Sequence, residues 1–370
     1  MRKGPYPLSV HVGMATSSWP LYSDATEQAL AIEMAGGLSK MLHGISLYQN
    51  HPYTATQPEL PIVWQEGTVT LRLCAGSGTG RPVVLVPSLI NRSGILDLSA
   101  ERSLARWLAG QGHNVYLMDW GDVATDPTQN SMDLLVLGRL VPALQYAAQK
   151  EGRKIAALGY CMGGTILVAA AMHTKVVERY IMLAAPWDFH AEPHTLLDRM
   201  TFWAPTAQPY IAAGQPLPVE GIQTLFASLD PGQAARKFSG FVDMDQNSQK
   251  AHLFIATEDW LNDGVSLPPE IARICIEEWF FENRTKKGMW VVGGEAVRPG
   301  QIAAPFLVIS SEKDRLVEYE SAAALCKIVQ QSELLNPGCG HIGMIAGKDS
   351  VSGVWEPIHS FLQKDFKTTP

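Results

Sequence analysis

Apolar residues recur in two rhythms along this chain. From Thr68 to Gly76 they alternate with polar ones, the period of a strand with one covered face. Val83–Val86 and the stretch HNVYLMDWG (113–121) carry continuous apolar runs, which predict strands buried on both faces. KIAAL from Lys154, Val177–Ala184 and PFLVISSEKD (305–314) add three more strands. Between them the spacing turns helical, over Ser99–Ala109, where Ser103, Leu104, Trp107 and Leu108 share a face, and over Ser131–Gln149. Strands alternating with helices predict an α/β architecture, a mostly parallel sheet with helices on both faces.

Two stretches leave this rhythm. Ahead of the sheet, Asp24–Leu47 has a helix-like pattern that Gly36-Gly37 should break, and Tyr53–Pro61 reads as loop. From Trp187 to Gln301 the alternation fails, and Trp, Phe, Pro and helical spacing take over. The reading is therefore an N-terminal helical and irregular extension (1–65), a core in two parts (66–186 and 302–370), and a largely helical cap inserted between them (187–301). No internal repeat or low-complexity linker divides the chain.

At 370 residues with 46% hydrophobic content the chain can bury one large core. The net charge of −7, with no basic stripe, argues against nucleic acid as a partner. Five cysteines, at 74, 161, 275, 326 and 339, are odd in number and scattered. That fits a reducing cytoplasm better than a disulfide framework, and no CxxC pair marks a metal site. The segment MRKGPYPLSVHVG lacks the apolar run of a signal peptide. No stretch of about 18 apolar residues predicts a transmembrane helix.

The chemistry centres on Gly159-Tyr160-Cys161-Met162-Gly163-Gly164, between a strand and an Ala/Val-rich helix. A strained strand–turn–helix needs small neighbours so that the central side chain stands above the sheet. It also sets Cys161 at a helix N-terminus, where the dipole favours a thiolate, with the Met162 N–H facing a developing oxyanion. Serine is usual at such a turn. A thiolate is the better nucleophile toward a thioester, and its acyl product is a thioester of similar energy. The bland alternative is a structural cysteine at a tight turn.

On the α/β-hydrolase fold, which this turn resembles, an acid and then a histidine follow the nucleophile in chain order. Asp314 follows the strand segment at 305–313, with Glu312 and Glu318 as alternative acids, and His341 lies in the glycine-flanked Gly340-His341-Ile342-Gly343. His359 sits in an amphipathic terminal helix, Val354–Leu362, where a packing or surface role suits it; His190 and His194 lie beyond a strand end, within reach of the pocket, though structural or surface roles suit them better. The second oxyanion donor should come from the loop after VVLVP, with Leu89 first and Ile90 next; Asn91 either orients substrate or holds the loop.

The segments VPSLINRSGILDL, RSLARWLAGQGHNVYLMDWG, GYCMGGT, APWDFH, SSEKDRLV and GHIGMIAG resemble the polyhydroxyalkanoate (poly-3-hydroxybutyrate) synthases. The likeness is greatest to the short catalytic subunits of two-subunit types, and the segments run in order from about residue 65 to 365. The resemblance implies Cys161 as nucleophile, His341 as its base and Asp314 as third catalytic residue. It implies (R)-3-hydroxyacyl-CoA and a growing polyester chain as substrates, with coenzyme A as product and no other cofactor. A second synthase subunit, a homodimer and a place at the surface of polyester granules go with it. Two features depart from the family: the long N-terminal region of single-subunit synthases is absent, and Asp314-Arg315-Leu316 stands where DHL or DHI is usual. Aromatic residues of the cap (Trp187, Trp203, Trp260, Trp279, Phe280, Phe281) would exclude water or simply fill its core. The competing reading is a thioesterase or polyester depolymerase on the same scaffold, and a third is a non-catalytic granule-binding relative.

Overall fold

The computed structural model describes residues 2–17, 25–126 and 130–366. Eight strands form one sheet: β1 (Ile62–Glu66), β2 (Val69–Cys74), β3 (Val83–Val86), β4 (Val115–Asp119), β5 (Ile155–Tyr160), β6 (Val177–Leu183), β9 (Phe306–Ile309) and β10 (Ser332–Leu335). Their order is β1-β2-β4-β3-β5-β6-β9-β10. β2 runs antiparallel to both β1 and β4, and the other pairings are parallel. A separate short hairpin, β7 (Val291–Val292) with β8 (Glu295–Ala296), belongs to the inserted region.

Continuous apolar strands are what a sheet covered on both faces demands. In β3, Val84 and Val86 point into one core with Leu135, Leu144 and Ile166, while Val83 and Leu85 join another with Leu104, Leu108, Ile358 and Phe361. Helices Met162–His173 and Val141–Glu151 therefore cover one face, and Leu104–Gly110 and Glu356–Gln363 the other. Arg179, buried on β6, donates to the carbonyls of Phe361, Leu362 and Lys364 and ties the last helix to the sheet.

Several boundaries differ from the sequence reading for identifiable reasons. Gly36-Gly37 does not break the N-terminal helix, which runs Ala25–Asn50. Its C-terminal half is held by Met41, Ile45 and Tyr48 packing on Phe238 and Phe241 of the cap. Asp24, the expected start, lies outside the described residues. The helix expected from Ser99 begins at Leu104: Ser99 and Arg102 form an isolated bridge, and Ser103 caps the helix by accepting from the Arg106 N–H at 2.9 Å. The helix expected over 131–149 runs from Met132 to Glu151 but widens to a π-turn at Val136–Leu140, just ahead of Pro142, which has no N–H to donate. The terminal helix starts at Glu356, after a π-turn over Val351–Trp355, rather than at Val354. β1 lies within the stretch read as an extension but pairs into the sheet as its antiparallel edge.

Most of the segment between β6 and β9 is helical, including Thr195–Trp203, Val219–Leu229, Gln233–Val242, Gln249–Leu261 and a π-helical turn Ile274–Phe281. It is joined to the loop after β3 by an Asn91–Gly264 bridge. Among the described residues, no helix is long and apolar enough to cross a membrane.

Candidate active site

The chain leaves β5 at Tyr160 and turns at once into helix Met162–His173. Cys161 sits between them at φ 54°, ψ −131°, a conformation costly for a residue with a side chain. Neighbouring backbone enforces it. The Cys161 N–H donates to Leu183 O at 2.9 Å, and the Gly164 N–H donates back to Cys161 O at 2.9 Å. A Cβ at Gly159 would lie 2.3 Å from Gly164 Cα, and one at Gly163 would lie 2.3 Å from the Pro87 carbonyl oxygen. Both contacts are with backbone, which cannot swing aside, so glycine is required at each. The same crowding brings the loop after β3 against the helix N-terminus.

Asp314 and His341 come from the loops after β9 and β10. Asp314 Oδ2 accepts from His341 Nδ1 at 2.7 Å, and Asp314 Oδ1 accepts from the N–H groups of Leu316 and Val317 at 2.8 and 3.0 Å. The carboxylate is thus fully used and only 1% exposed. Burial pulls the imidazole's pKa down. The Asp314 charge, the Cys161 sulfur and hydrogen bonds to both outweigh it and raise His341 to about 10. Asp314 thus holds one ring nitrogen, and His341 and Cys161 line the same cleft. Tyr160, fully buried, backs the imidazole: the rings are 5.0 Å apart and the Tyr160 hydroxyl donates to His341 O at 3.4 Å. The alternative acids lie elsewhere. Glu312 is exposed, and Glu318 Oε1 accepts from the Leu196 N–H at the start of a cap helix.

Two spaces meet at Cys161, one wholly apolar and one that also carries charged groups. Beneath the cap is a tight apolar chamber with about 100 Å³ of free space, lined among others by Met200, Trp203, Leu225, Cys275, Trp279 and Phe280. On the other side is a wider cleft whose walls are mostly apolar but which carries His341, Asp230, Lys237, Lys313 and Arg315 beside Trp260. Cys161, Ile90, Phe226 and Leu316 border both. The cap aromatics accordingly divide. Trp203, Trp279 and Phe280 line the chamber and Trp260 the cleft. Trp187 is core, and Phe281 turns partly outward.

Met162 opens its helix beside Cys161 and lines the chamber, so its N–H belongs to the unsatisfied first turn. In the facing loop, the Leu89 side chain is buried in the core, whereas Ile90 borders both spaces. The Ile90 N–H makes only a long contact, 3.4 Å, to Ser88 Oγ. Asn91 lines the cleft, but its amide donates to the carbonyls of Trp260 and Leu261 at 3.3 and 3.4 Å. Of its two expected roles, the structure displays the holding of the loop against the cap. His190 bonds to Phe280 O at 2.7 Å, and His359 pairs with His113 at 2.9 Å. His194 precedes helix Thr195–Trp203 in a left-handed conformation. Tyr160 and the charged residues of the cleft were not singled out from the sequence as site residues; Tyr160's place inside the nucleophile motif was the available signal.

The sheet order, the turn at Cys161 and the late Asp314–His341 pair define a class. The chain belongs to the α/β hydrolase fold family, whose profile matches residues 81–348. Among known proteins it is similar to the poly(3-hydroxyalkanoate) polymerase subunit PhaC of Haloferax mediterranei, 28% identical over 78% of this chain and 59% of that protein. The proteins of the same name from Allochromatium vinosum (29% identical; 72% of this chain, 76% of the relative) and Thiocystis violacea (26%; 88% and 94%) are also similar. The chain spans 59% of the length of the two haloarchaeal relatives it matches. Solved structures share the fold: the esterase RhEst1 from Rhodococcus sp. ECU1013 has a TM-score of 0.51 at 14% identity, covering 80% of this chain and 94% of that one. An alpha/beta hydrolase fold protein from Chitinophaga pinensis also has 0.51, at 15% identity, covering 83% and 98%.

Proposed function

We propose that this chain is the catalytic protein of a polyhydroxyalkanoate synthase, polymerising (R)-3-hydroxyacyl units from their CoA thioesters through an acyl thioester on Cys161. One observation carries the reading: a cysteine occupies the nucleophile turn, against a buried His341–Asp314 pair, in a chain similar over most of its length to proteins named polyhydroxyalkanoate polymerases.

In the proposed cycle His341, favoured as imidazolium by its raised pKa, holds the proton given up by Cys161, and the thiolate attacks the thioester carbonyl. The Met162 N–H and an N–H of the loop after β3, from Leu89 or Ile90, hold the oxyanion. The imidazolium returns the proton to the departing CoA thiol, leaving the acyl group on Cys161. The hydroxyl of the next monomer or of the chain end then attacks that acyl group, His341 takes its proton, and an ester forms as the Cys161 sulfur leaves. Both Asp314 oxygens are already bonded, which supports a role in orienting His341 over direct activation of the hydroxyl. CoA enters as part of the substrate and leaves as product, and the cycle calls on no further cofactor. The apolar chamber suits the acyl arm and keeps water from the acyl-enzyme, while the cleft, with its charged groups, suits the CoA side. A second subunit, a homodimer and growth at a polyester granule surface belong to the same reading.

The test is incubation of the purified protein with 3-hydroxybutyryl-CoA, alone and with a second synthase subunit. The expected products are CoA and ester-linked oligomers. CoA release with free hydroxy acid alone would mark a thioesterase and end the synthase reading.

A further inference from the structure

The cleft beside Cys161 carries positive charge that the proposed chemistry does not use. Arg315 follows Asp314 directly and is 74% exposed; its guanidinium reaches across to Asp230 of the cap. Asp230 is only 16% exposed and is already held by Arg236 through two contacts, at 2.7 and 2.6 Å. Burial pushes this carboxyl up, but hydrogen bonding and charge from Arg236, then Arg315, bring it below its usual range. One carboxylate thus serves two guanidiniums. Lys237, also on the cleft, is neutralised by Glu258 at 2.7 Å. Lys313 is exposed on the cleft wall, and no carboxylate pairs with it among the described residues. The lining therefore offers two cations, Arg315 and Lys313, in the same cleft as His341.

We propose that Arg315 and Lys313 form a phosphate-binding site for the CoA half of the substrate, with Arg315 exchanging Asp230 for a phosphate on binding. This rests on the acyl-CoA reading and names the residues that recognise its anionic part. A guanidinium matches phosphate oxygens in bidentate geometry, and a lysine adds a point charge. The exchange leaves no orphan, because Asp230 keeps both of its contacts to Arg236. Phosphates held at the rim would leave the pantetheine arm free to run down the cleft toward Cys161.

The test compares 3-hydroxybutyryl-CoA with 3-hydroxybutyryl-pantetheine, which lacks the phosphates. Arg315→Ala and Lys313→Ala should each lower kcat/KM for the CoA thioester about tenfold relative to the pantetheine thioester. Added salt should shrink the wild-type preference for the CoA form. Equal losses on both thioesters would show that the variants merely disturb Asp314, and unchanged ratios would place the phosphates elsewhere; either overturns the proposal. Calorimetry with CoA and with pantetheine keeps the two readings apart. If neither thioester turns over, the synthase reading fails, but weaker CoA binding in both variants still supports the phosphate site, and unchanged binding refutes it.

Discussion

Asparagine at position 314 is nearly the same size as aspartate but inverts one hydrogen bond. In the wild type, Oδ1 accepts from the N–H groups of Leu316 and Val317, and Oδ2 accepts from His341 Nδ1 at 2.7 Å. An asparagine has one oxygen. If it stays with the two backbone donors, its NH₂ faces Nδ1, and the imidazole must move its proton to Nε2, the tautomer that cannot accept a proton from a thiol. Turning the amide over restores the bond to His341 but sets an NH₂ against two backbone N–H groups, of which the buried one at Val317 alone costs roughly 1–3 kcal/mol when left unsatisfied. The first arrangement should win. Loss of the carboxylate also removes the largest influence holding His341 near 10, and burial then draws its pKa down. By analogy with triads disabled through the wrong tautomer, kcat should fall about 10⁴-fold, on the order of 5.5 kcal/mol in the barrier. Thiol release from 3-hydroxybutyryl-CoA reads the loss, and iodoacetamide alkylation of Cys161 across pH reads the change in the pair. A folded Asp314→Asn protein within tenfold of wild-type kcat would refute the tautomer argument.

Gly163→Ala places a methyl against the Pro87 and Val86 carbonyl oxygens, so it should cost on the order of 3 kcal/mol in chemical unfolding and abolish activity together. The raised pKa of His341 stabilises the fold fully below its unfolded value of 6.5, and that contribution is lost as pH rises through about 10. Between these values wild type should therefore lose more melting temperature than His341→Gln; equal losses would contradict the assignment. Leu225→Trp intrudes on the apolar chamber and should depress kcat/KM for 3-hydroxyoctanoyl-CoA about tenfold or more relative to 3-hydroxybutyryl-CoA, whereas an unchanged ratio would mean the acyl arm lies elsewhere.

The central strands were legible because burial on both faces leaves an unbroken apolar run, as in Val83–Val86. Edge strands carry no such mark: β10 reads Ser-Glu-Leu-Leu and pairs on one side only, and β1 has a three-residue apolar start of which no residue is fully buried. The N-terminal helix was misread at Gly36-Gly37 because local propensity yielded to packing farther along. At the site, Cys161 and His341 announce themselves through flanking glycines, and Asp314 through its place after a strand. What the local pattern could not convey is assembly. The chamber is closed by Leu225 and Cys275 of the cap, and the cleft by Asp230 and Arg315, pairs brought together by tertiary packing alone. The choice between Leu89 and Ile90 likewise depends on the path of a short loop, and no periodicity records that.

A covalent intermediate on sulfur 161 is the claim from which the rest follows. Rapid acid quench of the protein with 3-hydroxybutyryl-CoA, followed by peptide mass spectrometry, should find one or more hydroxybutyryl units on the peptide bearing Cys161, and none after Cys161→Ala. CoA release without any acyl group on Cys161, or with undiminished rate in Cys161→Ala, would contradict the account.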